Sequence, residues 1–169
     1  MLIRHFAEHD VLPALELNNA SIPDVNELDE AEVRELWAMS EVCLTAEVDG
    51  EFAGFCWCVP PGTTYRSLNY KWFSQRYTDF SYLDRIAVLP HFRRHGIGIA
   101  FYDRIREELT GRRPVLFCEV NVRPRNEKSL LFHHRVGFRE VGQQETDGGA
   151  KTVSLLALPL DGSTPQAEG

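Results

Sequence analysis

Between Tyr82 and Val122 the sequence reads as strand, loop, helix and strand, an order that leaves few ways to fold. Tyr82 to Val88 is a strand stopped at Leu89-Pro90. From Gly98 onward Ile99, Phe101, Tyr102, Ile105 and Leu109 recur at helical spacing, and Gly111 stands close to where a helix stop is expected. Val115 to Val122 is strand-like again. Two neighbouring strands joined through a helix run parallel, so the second half of the chain supplies a parallel strand–helix–strand unit.

The rest of the chain predicts antiparallel pieces around that unit. Leu2 to Phe6 suits a short strand, and Val11, Leu12, Leu15 and Leu17 give a rough helical face. Ser21, Pro23 and Asp24 interrupt the helix, and Asn26 to Met39 resumes it with Leu28, Val33, Leu36 and Trp37 toward the core. Val42 to Val48 and Phe52 to Val59 flank Asp49-Gly50, a pair suited to a two-residue hairpin turn. Asn126 can cap a helix that ends at Gly137, and Lys151 to Leu158 is a last strand. The expectation is an α/β fold with a mixed, mostly antiparallel central sheet flanked by helices. At 169 residues, 43% of them hydrophobic, the chain can bury one core, so residues 1–160 are read as one domain and 161–169 as a disordered tail.

A net charge of −7 and a pI near 5.4 argue against nucleic acid or an anionic membrane as main partner. No apolar run approaches the roughly 20 residues of a membrane span. Cys43, Cys56, Cys58 and Cys118 lie in apolar runs, and the charged start lacks a signal peptide's apolar stretch, so the reading is reduced thiols in a cytoplasmic protein. No second cysteine pair follows Cys56 and Cys58 at zinc-site spacing, and His91, His95, His133 and His134 are too scattered to form a ligand set, so no metal is expected.

Against this acidic background Arg93, Arg94 and His95 stand together, followed by Gly96-Ile97-Gly98 at the start of a helix. Glycines allow close approach of a ligand to the backbone, and the first amides of a helix lack partners of their own. Those donors suit a pyrophosphate. A dinucleotide fold is excluded by Phe101, where a third glycine is wanted, and a Walker loop by the lack of Gly-Lys-Ser or Gly-Lys-Thr.

Arg93 to Gly98 resembles the signature of the GNAT superfamily of N-acetyltransferases: Arg or Gln, two residues, Gly, any residue, then Gly or Ala. Asn126, Ser129, Phe132, His133, Gly137 and Phe138 resemble that family's closing helix and following turn. The resemblance implies acetyl-CoA as co-substrate. Its pantetheine arm would pair with the backbone of Ile86, Ala87 and Val88, and its pyrophosphate would lie on the amides of Arg94, His95, Gly96, Ile97, Gly98 and Ile99. Asn126 would contact the cofactor. His133 stands where many relatives carry the tyrosine that protonates the departing thiolate. The acceptor would be an amine of a small molecule or a peptide, slightly favouring a small molecule, and dimers are common in the family.

Such a reaction needs a neutral amine nitrogen, and hence a base or a water path to remove a proton. Glu119 shares a strand face with Phe117 and Asn121 and resembles the family's strand-borne glutamate. Its other reading is a carboxylate paired with Arg123 or Arg125. Asp84 is the second candidate base, with an ion pair to a nearby arginine as its alternative, and Tyr82 could orient a water. His133 titrates near neutrality and is the candidate acid, or else a solvent-facing helix residue. The segment Tyr65 to Phe80 sets Arg66, Asn69, Lys71, Arg76 and Asp79 among aromatics, either as cover for the acceptor or as an aromatic cap on the sheet. The competing function is a non-catalytic acyl-CoA sensor.

Overall fold

The computed structural model describes residues 1–22, 25–162 and 167. Most of the tail, with Pro23 and Asp24 of the expected helix break, lies outside them. Strands are β1 (Leu2–His5), β2 (Val42–Val48), β3 (Glu51–Val59), β4 (Ser81–Val88), β5 (Val115–Arg123), β6 (Arg139–Thr146) and β7 (Lys151–Pro159). Helices are α1 (Val11–Asn19), α2 (Glu30–Met39), α3 (Leu68–Ser74), α4 (Ile97–Leu109) and α5 (Glu127–Val136). The strands form one sheet in the order β1-β2-β3-β4-β5-β7-β6. β4 and β5 run parallel, Ser81 opposite Leu116 and Tyr82 opposite Phe117, whereas β1–β2, β2–β3, β5–β7 and β6–β7 are antiparallel. The fold is therefore α/β with a mixed, mostly antiparallel sheet.

Contacts group the chain into two compact units, Met1–Pro60 with Leu83–Glu108, and Pro61–Tyr82 with Leu109–Gly169. In the first, Asp49 and Gly50 both take positive φ, 54° and 83°, and close the β2–β3 hairpin as its sequence requires. α2 starts later than expected because Asp29 and Glu32 form a reciprocal cap: each side chain accepts the other's amide at 2.8 Å. Leu28 is buried just ahead of the helix. Val11, Leu17, Val33, Leu44, Phe55 and Ile105 are among its buried residues, and Phe6 packs edge-on to Trp37 and Trp57 at 5.1 and 5.5 Å.

In the second unit the aromatic segment ahead of β4 folds into α3, capped by Ser67, and Phe73 stacks on Phe117 of β5 at 4.3 Å. Tyr77 and Phe80 pack on the same ring at 4.6 and 5.5 Å, the aromatic-cap arrangement. Two elements here were not expected from the sequence. α3 is one short helix in which aromatic residues hide the periodicity, and β6 is an edge strand whose Glu140, Gln143 and Glu145 are exposed, so no apolar alternation marks it. All four cysteines are buried thiols outside any disulfide, and burial pushes the Cys43 thiol up to about 12.

Candidate active site

The candidate residues fall into two sets, one in each unit. In the first unit the end of β4 is positioned by β3. Leu89 N–H donates to the Ala53 carbonyl at 2.9 Å, and the backbone of Ala87 and Val88 comes so close to Gly54 that a Cβ there would lie 2.4 Å from the Ala87 carbonyl oxygen. Only glycine fits. Ile86, Ala87 and Val88 are half-buried, and Arg93 turns back to donate from Nε to the Val88 carbonyl at 3.1 Å.

After a 3-10 turn at Pro90–Phe92 the loop bends through two left-handed residues, Arg94 at φ 66° and Gly96 at φ 80°. That region suits Gly96, whereas Arg94 carries a Cβ that disfavours it. The Gly96 carbonyl accepts the Ala100 amide at 3.0 Å and so opens α4, which starts at Ile97, one residue before the expected Gly98. The amides of Ile97, Gly98 and Ile99 thus occupy the first turn, where no carbonyl one turn back can receive them, at the positive end of the helix dipole. The Ile97 side chain is buried, leaving only its backbone for a ligand, while Arg93, Arg94 and His95 are exposed beside it in sequence. This arrangement can hold a polyanion through amides and nearby cations.

Asp84 has a different commitment. Its carboxylate meets Arg85 Nε at 2.8 Å, with side-chain exposures of 5% and 4%. Arg85 also donates to Asn18 Oδ1 at 2.6 Å and to Asn26 Oδ1 at 2.7 Å, tying the end of α1 and the chain ahead of α2 to β4. The ion-pair alternative for Asp84 is the one seen.

In the second unit Glu119 lies on β5, half-buried, with both carboxylate oxygens receiving the Tyr82 hydroxyl at 2.9 and 2.7 Å. Arg123 reaches Glu145 at 3.4 Å, and Arg125 pairs with Glu127. Asn126 caps α5: its side-chain oxygen accepts the Ser129 amide at 3.1 Å, which leaves its amide nitrogen as the group to offer a ligand. His133 is buried, where a solvent-facing residue was the alternative. Its Nδ1 lies 2.7 Å from the Ser129 carbonyl. A carbonyl only accepts, so Nδ1 carries the proton and the neutral ring has its lone pair on Nε2. Burial pushes the imidazole below its ordinary value, more than the bond to Ser129 raises it, and so favours that neutral form.

Of the basic residues in the segment ahead of β4, Arg76 lies over the Trp72 ring at 3.9 Å and donates to the Trp72 carbonyl at 3.0 Å. Lys71, with Tyr65, Tyr70 and Tyr77, instead lines an open cavity of about 350 Å³.

A profile of the acetyltransferase (GNAT) family matches residues 12–138, three-quarters of the chain. The chain belongs to the GNAT acetyltransferase family. Among solved structures, this acetyltransferase is similar to the ribosomal-protein-S18-alanine N-acetyltransferase of Escherichia coli, at TM-score 0.73 and 19% identity over 96% of each chain. It is also similar to an aminoglycoside 6'-N-acetyltransferase complexed with coenzyme A, at TM-score 0.72 and 14% identity over 98% of this chain and 100% of that one. A third similar structure, yncA from Salmonella typhimurium with its cofactor acetyl-CoA, gives TM-score 0.71 and 18% identity over 98% of this chain and 96% of that one. At such identities the likeness is one of fold. No curated protein matches the chain in sequence.

Two side chains central to these arrangements were not singled out for these roles by sequence. Tyr82 holds Glu119 from 37 residues away, and Arg85 reaches 67 residues back to Asn18. An arginine beside Asp84 in the middle of a strand that then runs Ile86-Ala87-Val88 was the one signal available for the second, since a buried charge demands a partner.

Proposed function

We propose that this acetyltransferase moves the acetyl group of acetyl-CoA to a primary amine of a small molecule or peptide by direct attack on the thioester. The loop from Arg93 to Gly98 carries the reading. It holds the signature residues, turns through left-handed Arg94 and Gly96, and presents the first amides of α4 for a pyrophosphate. Ile86, Ala87 and Val88 would receive the pantetheine arm, with Asn126 as a further contact.

Glu119 is the base in this proposal, preferred to Asp84 because Asp84 is held by a buried arginine. As the amine nitrogen bonds to the acetyl carbon, its proton passes to Glu119, the carbon–sulfur bond breaks, and coenzyme A leaves as a thiolate that takes up a proton. His133 could supply that proton only after taking one up at Nε2, which burial opposes, so we assign it a neutral, hydrogen-bond-accepting role and let solvent protonate the thiolate.

The acceptors of the similar structures suggest a panel: a peptide with N-terminal alanine, an aminoglycoside, and a simple amino acid amide. Thiol release from acetyl-CoA should depend on one of these amines and fall about 10²–10⁴-fold in Glu119→Gln. Tight acetyl-CoA binding with no amine-dependent release would favour a sensor instead.

A further inference from the structure

We propose that Tyr82 is a positioning residue that fixes the Glu119 carboxylate for proton abstraction, and that α3 with its flanking aromatics serves to hold Tyr82 in place. The proposal rests on Glu119 being the base. One phenolic hydrogen is shared between two carboxylate oxygens at 2.9 and 2.7 Å, so the hydroxyl sits near the bisector of the group and opposes rotation about its terminal bond. That torsion is otherwise soft. Strand register creates the pairing: Tyr82 lies opposite Phe117, and Glu119 is two residues further along the same face of β5.

The tyrosine itself has little freedom. Its side chain is fully buried, with ring centroids of Tyr70 at 5.6 Å, Phe73 at 5.9 Å and Tyr65 at 6.5 Å. All three neighbours come from the segment ahead of β4. Tyr70 is held in turn, its hydroxyl accepting from the Thr63 amide at 3.1 Å and from the Thr63 hydroxyl at 3.0 Å. The inserted segment is thus connected through Tyr82 to the carboxylate, which gives its aromatic residues a role beyond covering the sheet.

The test is a double-mutant cycle on thiol release with the acceptor panel, using Tyr82→Phe, Glu119→Gln and both together. Tyr82→Phe keeps the ring and should retain the wild-type Tm to within a few degrees. It should lower kcat by about ten- to a hundredfold, the worth of a hydrogen bond to a charged group, with KM for acetyl-CoA unchanged. In the Glu119→Gln background the same substitution should have no further effect on kcat, because groups that act as a unit are not additive. An equal loss in both backgrounds, or none in either, overturns the positioning role while acetyl transfer stands. If wild type releases no thiol with any amine of the panel, the acetyl-transfer reading fails and the role of Tyr82 fails with it.

Discussion

Replacing Gly54 by alanine tests whether the backbone of β4 is what binds the cofactor. A Cβ at this position would lie 2.4 Å from the Ala87 carbonyl oxygen and 3.1 Å from the Val88 Cα. A carbon–oxygen contact is ordinarily no closer than about 3.3 Å, so relief requires a movement of roughly 1 Å. Both obstructing groups are backbone and cannot rotate away. Overpacking of this kind costs about 1–3 kcal/mol, which for a chain of this size lowers Tm by roughly 2–12 °C. The displaced segment would receive the pantetheine arm, and a misplacement of about 1 Å can cost about 10²-fold in rate, so kcat/KM for acetyl-CoA should fall by that order. Thermal unfolding and steady-state thiol release measure the two effects. Gly50→Ala is the control: its φ of 83° strains alanine too, yet nothing lies within 4 Å of the added atom, so it should lower Tm and leave kcat/KM intact. A Gly54→Ala protein with wild-type Tm and wild-type kcat/KM would refute the steric reasoning. One that loses Tm alone would separate the β4 backbone from cofactor binding.

Two other perturbations follow from buried groups. Arg85→Met strips Asp84 of its buried cation and should cost about 3–5 kcal/mol in denaturant unfolding, whereas a loss below about 1 kcal/mol would show that Arg85 contributes little to holding Asp84 and α1 against β4. His133 is pushed below its ordinary value of about 6.5, so the unfolded chain takes up this proton first as the pH falls. Its contribution to stability is therefore present above that value and is lost on acidification toward the folded-state pKa. The Tm difference between pH 7.5 and pH 5 should be smaller in His133→Gln than in wild type, and an identical difference in the two proteins would remove His133 as its cause.

What could be read ahead of the structure was local in sequence. The Asp49-Gly50 turn, the strand–loop–helix from β4 to α4, and the Asn126-to-Gly137 helix each carry their determinants within a few residues. Their dihedrals follow: positive φ at Asp49 and Gly50, and a left-handed Gly137 at φ 116° closing α5. β6 was not legible because an edge strand needs no apolar alternation when its partner β7 supplies the buried side chains. α3 was not legible because its aromatics pack on a strand more than forty residues further on, which no local period encodes.

The same distinction separates the two halves of the candidate chemistry. A pyrophosphate is bound by amides, so its site depends on glycine placement and on where a helix begins, both of which a short motif specifies. A base depends on the partners of one carboxylate, and those come from wherever the sheet brings them. Glu119 could be proposed from strand alternation alone, but Tyr82 as its partner required the parallel register that sets Tyr82 opposite Phe117. Asp84 illustrates the converse. By sequence it stands on β4 as a candidate base like Glu119, and it pairs with Arg85, which is itself anchored to Asn18 and Asn26, residues far away in the chain. The preference for Glu119 over Asp84 in the proposed reaction thus rests on their partners: the Tyr82 hydroxyl donates to Glu119, and the buried Arg85 guanidinium pairs with Asp84.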